Sequence, residues 1–462
     1  MRELLYTTRK RKSSIERPSI VEEFASDRSR IVFCSSFRRM MQKAQVFSLE
    51  QNTSVRNRLT HSLEVADIGR TIARRVGRRL EEKGIASTED TECLEAIVES
   101  ACLIHDIGNP PFGHFGEDAI KRWFSQNAPR VFEEAQDLLK LGVLDQRLYD
   151  FINFDGNPQG FRIVTKLHTE IDENGLNLSY ATLLASIKYP NYEKVPKERL
   201  FSKKLGVFSS EADLYKEICQ QTGHPIGKRY FVAYLMELAD DICYCLSDIV
   251  DGFEKGIVDS RLFKDELKEI FRSEDVDWGL LKNIIPASRI ENFSQQIAIL
   301  LSRQCLDEAV DYFVSNLELF IAGEANELID CIMMGRVLKC FKAFARRFIY
   351  TAPEAHKIEI AGYKIVHGLL DHYGILLSVP KDEFAYFIKE GEMRKDSALD
   401  MEWRVFSQLS KRMVNSYQHN LRKSGEEEWF TRCRLVVDYI SGMTDQSALR
   451  FYQNAMGISL EQ

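Results

Sequence analysis

Apolar residues recur along most of this chain at steps of three and four, the spacing that places side chains on one face of an α-helix. Three stretches show it clearly. Val65, Ile68, Ile72, Val76 and Leu80 form one stripe, with His61 one turn ahead of Val65 at its core-facing start. Leu94, Ile97, Ala101 and Ile104 form a second, which must end near Gly108-Asn109-Pro110-Pro111 because two prolines cannot continue a helix. His105 and Asp106 fall in its last turn. Leu235, Leu238, Ile242, Cys245, Ile249 and Phe253 form a third, while Asp240, Tyr244 and Asp248 line a neighbouring polar face one turn apart. Two loop regions interrupt this part of the chain, around Asn153–Gly160 and around Pro190–Gly227. The second is rich in Lys, Pro and Gly and suited to fold over a site. Amphipathic segments follow Gly256 to about Arg347. His356–Tyr363 (HKIEIAGY) then alternates briefly and predicts a small β element, after which helix-like sequence runs to the end. Residues 1–30, with the run Arg9-Lys10-Arg11-Lys12, read as a basic, solvated arm. The expected architecture is mostly α: an arm at 1–30, a helical core at 31–256 and a second helical lobe at 257–462.

Composition narrows this further. Gly 25 and Pro 11 in 462 residues fall under the usual share of about 12%, leaving few turn residues for an all-β fold. Hydrophobic residues at 44% and charged ones at 28% exclude a disordered or fibrous chain. No charge-free apolar run approaches the roughly 18 residues that span a bilayer, and the start MRELLYTTRKRK leads into no apolar signal core, so a cytoplasmic protein without membrane contact is expected. The cysteines are scattered, and Cys243 and Cys245 lack the CxxC spacing of zinc or redox sites, which predicts buried reduced thiols. The net charge of −7 argues against a chain coated in nucleic acid, so any anionic ligand must be met by local cations.

A His-Asp pair at a helix end, after a lone His on an earlier helix and before an acid on a later one, suits a first-row metal or, through its carboxylates, Mg. The pair lies in CLIHDIGNPPFGHFGE, preceded by RLTHS and followed by ELADDICYCLSD. These strings resemble the HD phosphohydrolase superfamily. More specifically, RSRIVFCSSFRRMMQKAQVFSLE, HDIGNPPFGHFGE, GNPQGFR, ELADDICYCLSD and RCRLVVDYISGMTD resemble the deoxyguanosine triphosphate triphosphohydrolase family, with matches from about residue 28 to 449. The resemblance implies an HD-domain helical core completed by the C-terminal lobe. It also implies a divalent metal, Mn or Mg, on His61, His105, Asp106 and Asp240, and hydrolysis of dGTP or other dNTPs at the α-phosphorus to the deoxynucleoside and tripolyphosphate. A homo-oligomer, often a hexamer in the family, is implied as well.

Such a metal lowers the pKa of a bound water and polarises a phosphoryl oxygen. The leaving 5′-oxygen still needs a proton. By analogy with the family's HFGE segment, His114 is its donor and Glu117, at i+3, orients and charges the imidazole. Arg58, Asn157, Lys188 and the more distant Arg404 match family positions that face phosphates. Tyr244 and Asp248 lie about 6 and 12 Å along the helix axis from Asp240, a sugar's distance from the α-phosphorus. Gln45 resembles the family's glutamine for the 3′-hydroxyl, with Val46 beside it. Glu359, before the AGY turn, can accept from both N1–H and the N2 amine of guanine, and Tyr350 would stack on the base. Two other readings compete: an HD enzyme acting on another nucleotide, and a nucleic-acid-binding scaffold with a vestigial site. The basic arm keeps single-stranded nucleic acid open as an accessory partner.

Overall fold

The computed structural model describes residues 1–50, 52–131, 146–168, 174–284, 295–395, 397–423 and 427–459. Among them the chain is helical throughout, with β pairing limited to the isolated bridges Arg9 with Ser179 and Ala44 with Asn57. The expected second loop region is described throughout, while residues 132–145, earlier in the chain, lie outside the described residues.

Helix α1 spans Ile20–Phe33. Helix α2, Arg58–Glu82, begins at a capping box in which Asn57 accepts from the Thr60 N–H and the Thr60 hydroxyl accepts from the Asn57 N–H. That cap fixes the helix start so that His61 comes in its first turn, facing inward with Val65, Ile72, Val76 and Leu80. Helix α3, Thr88–Ile104, packs tightly on α2 because two glycines of α2 make room. A Cβ at Gly69 would lie 2.5 Å from the Cys102 sulfur, and one at Gly77 would lie 2.4 Å from Thr91 Cγ2. Helix α3 ends one turn earlier than the sequence pattern implied and ahead of the prolines: His105 is the C-cap and Asp106 already belongs to the following turn.

Helix α4 runs from Gly113 to Val131 and α5 from Gly156 to Arg162. The first expected loop region therefore holds a short helix, capped by Asp155 on the Asn157 N–H. The second holds the helix Ala212–Thr222, preceded by a loop closed on Asn191, whose amide donates to the carbonyls of Phe201 and Lys204 at 2.6 and 3.1 Å. Helix α6, Phe231–Glu254, crosses α2 and α3 with Leu235, Leu238, Ile242, Cys245 and Ile249 buried. Helix α7 spans Met333–Phe344.

His356–Tyr363 is not a strand but lies inside α8, Pro353–Gly374. Its alternation is too short to decide between periods of 2 and 3.6, and burial decides it. Ala355, Gly362, Ile365, Val366, Leu369, Leu370 and Tyr373 form the buried helical face, leaving Ile360 65% exposed. Pro353 at the helix start has the fixed φ that suits a first turn. Helices α9, Glu428–Ser441, and α10, Asp445–Ala455, end the described fold.

Two hydrophobic cores result. One gathers α1, α2, α3, α6 and α7; the other joins α4, Phe151, Phe154 and Phe208 to α8 and α9. Buried ion pairs stitch distant segments together in the second: Arg434 to Asp150 at 2.6 Å, and Arg162 to Asp438 at 2.7 Å and to Glu211 at 2.7 Å. The basic start of the chain is solvated only in part: Lys10 and Lys12 are exposed, but Arg9 is not. Arg9 is buried, paired with Asp27 and donating to the carbonyls of Asn177 and Glu23 at 2.8 and 2.6 Å, while Lys10 pairs with Glu217. Periodicity missed this because a buried arginine is held by partners far away in sequence.

Candidate metal and phosphate site

Three helices deliver the central cluster: His61 from α2, His105 from the end of α3 and Asp240 from α6. One nitrogen or oxygen of each lies within 4.8 Å of the others. Asp240 Oδ1 is 3.3 Å from His61 Nε2 and 3.4 Å from His105 Nε2. His105 Nδ1 lies 2.7 Å from the Cys102 carbonyl, one turn back, so it carries the proton and donates. This leaves Nε2 with its lone pair, buried and without a hydrogen-bond partner among the described residues. A fixed tautomer with an open inward nitrogen is what a metal-ligating imidazole needs. The residues present therefore fit a divalent metal.

Asp106 sits at the edge of this cluster, 3.8 Å from His105 Nε2. Its two oxygens are held apart, one accepting from Arg58 Nη1 at 2.5 Å and the other from Asn109 Nδ2 at 2.6 Å. Lys188 donates to the outer oxygen of Asp240 at 2.7 Å. Burial alone would raise both carboxyls, but the Arg58 guanidinium holds Asp106 below its ordinary range, and the Lys188 ammonium and His105 do the same for Asp240. Burial disfavours a charged His105, yet Asp106 and Asp240 outweigh it and raise its pKa. A site that favours a proton on an imidazole in this way favours a cation in its place.

Arg58 also links this cluster to the next group. A Cβ on Gly113 would stand 2.8 Å from Arg58 Nη2, so one guanidinium spans Asp106 and the start of α4. There His114 is exposed and its Nδ1 lies 2.9 Å from Glu117 Oε2, while the other oxygen of buried Glu117 accepts from the Gly156 N–H at 2.7 Å. Hydrogen bonding to Glu117, with its charge, raises the His114 pKa. Glu117 is lowered in turn by His114, although burial pulls it upward. The imidazole is thus oriented through Nδ1, with the rest of the ring exposed.

Tyr244, Asp248 and Tyr350 form a third group. The Tyr350 hydroxyl donates to Asp248 Oδ2, and its ring lies 6.2 Å from that of Tyr244. Asp248 Oδ1 is buried without a partner, and burial pushes this carboxyl up to about 7 against the Tyr350 hydrogen bond. Gln45 Oε1 is likewise buried and unpartnered, next to Val46, which packs on the first core. Both are open acceptors of the kind a sugar hydroxyl satisfies.

The remaining candidates are spread more widely. Asn157 donates to its own cap, Asp155, at 2.5 Å. Glu359 lies one turn before Gly362, whose place for a Cβ is filled by the Phe112 ring at 2.5 Å, so this face of α8 meets the turn leading into His114. Burial raises the Glu359 carboxyl. Arg404 is exposed and bound to Asp400 at 3.0 Å; no described contact joins it to the other candidates.

Four residues at the site were not singled out from the sequence, although Lys43 and Asp445 lie inside strings that carry the resemblance. Lys204 pairs with Asp155 at 2.5 Å and adds positive potential at His114 and Glu117. The Lys342 ammonium stands 5.2 Å from the centre of the Tyr244 ring. Lys43 and Asp445 are buried beneath the Gly-Pro turn. Lysines and acids are ordinarily outside, so only their partners reveal such positions.

Comparison with known proteins agrees with this geometry. A family model described as HD domain matches residues 58–174, and one described as phosphohydrolase-associated domain matches 388–454. The first spans His61, His105, Asp106 and His114; Asp240 lies beyond it. A Pseudomonas aeruginosa protein named "Probable deoxyguanosinetriphosphate triphosphohydrolase" is 37% identical over 94% of this chain and 93% of its own. A "Deoxyguanosinetriphosphate triphosphohydrolase" of Serratia proteamaculans is 33% identical over 97% and 98%. A Listeria monocytogenes "Deoxyguanosinetriphosphate triphosphohydrolase-like protein" is 34% identical over 99% of each chain.

Proposed function

The chain belongs to the deoxyguanosinetriphosphate triphosphohydrolase family, and from that membership we propose that it hydrolyses dGTP at the α-phosphorus, releasing deoxyguanosine and tripolyphosphate. The observation that carries the reading is the open, buried Nε2 of His105 facing His61 and Asp240, with Arg58 and Lys188 already seated on the flanking carboxylates.

His61, His105, Asp106 and Asp240 would hold the metal, for which we assign Mn or Mg on its imidazole and carboxylate donors. Once bound, it would supply Lewis acidity toward water and the phosphoryl oxygen. The chain's own residues do the rest. Arg58 and Lys188, paired with carboxylates in this state, become available to phosphate oxygens as a cation takes over the negative charge of Asp106 and Asp240. Asn157, and more remotely Arg404, serve the same polyphosphate. Protonated His114, held by Glu117, gives its Nε2 proton to the departing 5′-oxygen. The unpartnered oxygens of Gln45 and Asp248 take the 3′-hydroxyl, and Tyr244 and Tyr350 close the wall on the sugar and base.

Glu359 reads guanine in this scheme, with both carboxylate oxygens available for N1–H and the N2 amine. Glu359→Gln is expected to reduce the preference for dGTP by roughly 10- to 150-fold, the worth of one hydrogen bond to a charged group. Competition between paired dNTPs measures it, and an unchanged preference rules Glu359 out as the base reader. Among the described residues no helix is long and apolar enough to cross a membrane; the cytoplasm and a homo-oligomer, hexameric as the family resemblance implies, complete the reading. The deciding experiment is chromatography of products after incubation with each dNTP and Mn or Mg. Tripolyphosphate with deoxyguanosine is expected, and orthophosphate or pyrophosphate in its place would overturn the reaction assigned.

A further inference from the structure

Resting on the role given to His114, we propose that Asp445 is a positioning residue for this reaction: its carboxylate ties the turn that carries His114 to the segment that carries Gln45. One oxygen of Asp445 accepts from the Phe112 N–H at 2.9 Å, and the other accepts from the Ala44 N–H at 3.0 Å. The side chain is buried where α10 begins. It is not needed to cap that helix, because Thr444 already does so through the Ser447 N–H. Both oxygens instead point out of the helix toward two segments remote in sequence.

The turn at Phe112 needs such a tie. Phe112 and Gly113 are both left-handed, with φ of 60° and 54°. That region is comfortable for glycine but disfavoured for an aromatic residue, so neighbours must hold it. Asp445 grips the Phe112 backbone, and Gly362 gives its ring a seat that a Cβ would occupy. His114 follows directly, and the turn sets where its imidazole enters the site. On the other side, Ala44 bridges to Asn57, the cap of α2, and the Lys43 carbonyl accepts from the Arg58 N–H at 2.9 Å. Buried Lys43 makes a parallel tie, donating to the carbonyls of Asn109 at 2.6 Å and Ser441 at 2.9 Å. The end of the chain thus fixes acid, sugar contact and metal helix in one register. Only a carboxylate offers an acceptor to each of two separate N–H donors in this place; an asparagine offers one.

The test compares dGTP with its analogue carrying sulfur in place of the bridging 5′-oxygen, whose thiolate leaves without a proton. His114→Ala is the reference and should slow dGTP by roughly 10²–10⁴-fold while sparing the sulfur analogue. Asp445→Asn should keep metal content and show the same selectivity, slowing dGTP by roughly 10²-fold, the cost of about 1 Å of misplacement. If His114→Ala is selective and Asp445→Asn is not, Asp445 does not position the acid, and the reading of His114 stands. If His114→Ala slows both substrates alike, the acid role falls and the proposal falls with it. Should Asp445→Asn fail to fold, Gly362→Ala displaces the same Phe112 turn from its other side. Selective loss on dGTP then supports the proposal, and equal loss on both substrates overturns it.

Discussion

His61 is fully buried in the first turn of α2, and its Nδ1 has no partner among the described residues. Its Nε2 faces Asp240 Oδ1 at 3.3 Å beside His105, and it is this shared position that suits it to a metal. His61→Ala and Asp106→Ala are accordingly expected to lose metal and turnover together while circular dichroism stays helical; full metal content with normal activity in either variant refutes the assignment. His114 makes a different prediction. Its pKa is raised by the Glu117 hydrogen bond and charge, so the protonated acid persists to higher pH than a free imidazole of about 6.5. Activity should decline on the alkaline side as that proton is lost. Glu117→Gln removes the negative charge, lowers the His114 pKa and moves the alkaline limb of the kcat profile to lower pH. His114→Ala should abolish that limb. A limb unmoved in Glu117→Gln would detach Glu117 from the acid.

At the scale of elements, α8 is where local pattern and tertiary burial part. A strand through HKIEIAGY would place Ile358 and Ile360 on one buried face. The helix leaves Ile360 exposed and buries Ile365 instead. Ile360→Lys should change stability by less than about 0.5 kcal/mol, whereas Ile365→Ala should cost about 2–5 kcal/mol through lost burial and a cavity. Urea unfolding of the two variants separates the cases, and a large loss at Ile360 would contradict the helix. The same element carries Glu359 and Gly362 on one side, so its helical state also decides that the base-reading candidate faces the His114 turn.

For the whole molecule, the second core is the decisive feature. It joins α4, early in the chain, to α8 and α9, and its buried ions cross the same boundary. Asp438 accepts from Arg162 through both nitrogens it faces, at 3.0 and 2.7 Å, and from Gln159 at 2.9 Å. Removing it leaves a buried guanidinium with only part of its compensation from Glu211. Asp438→Ala is expected to destabilise the protein by about 3–5 kcal/mol without altering the metal ligands. Thermal unfolding, with metal content as the control, checks it. A negligible shift would show that the junction does not depend on this pair.

The amino-acid sequence by itself determined the three helices that carry His61, His105 and Asp240, because a helical stripe of apolar residues is a local signal that needs no distant partner. It also placed His114 and Glu117 one turn apart, the spacing from which their hydrogen bond follows once α4 forms. Tertiary structure alone decided the rest. The eight residues of HKIEIAGY fit either period until the second core chose their buried face. Arg9, Lys43 and Asp445 carry charge that a sequence reading assigns to solvent, yet each is buried. Their partners are remote: Lys43 meets Ser441 across a separation of 398 residues, and Asp445 meets Ala44 across 401. A buried charge is tolerated only where its partners surround it, and that condition is set by how the chain comes together, not by the residues on either side of it.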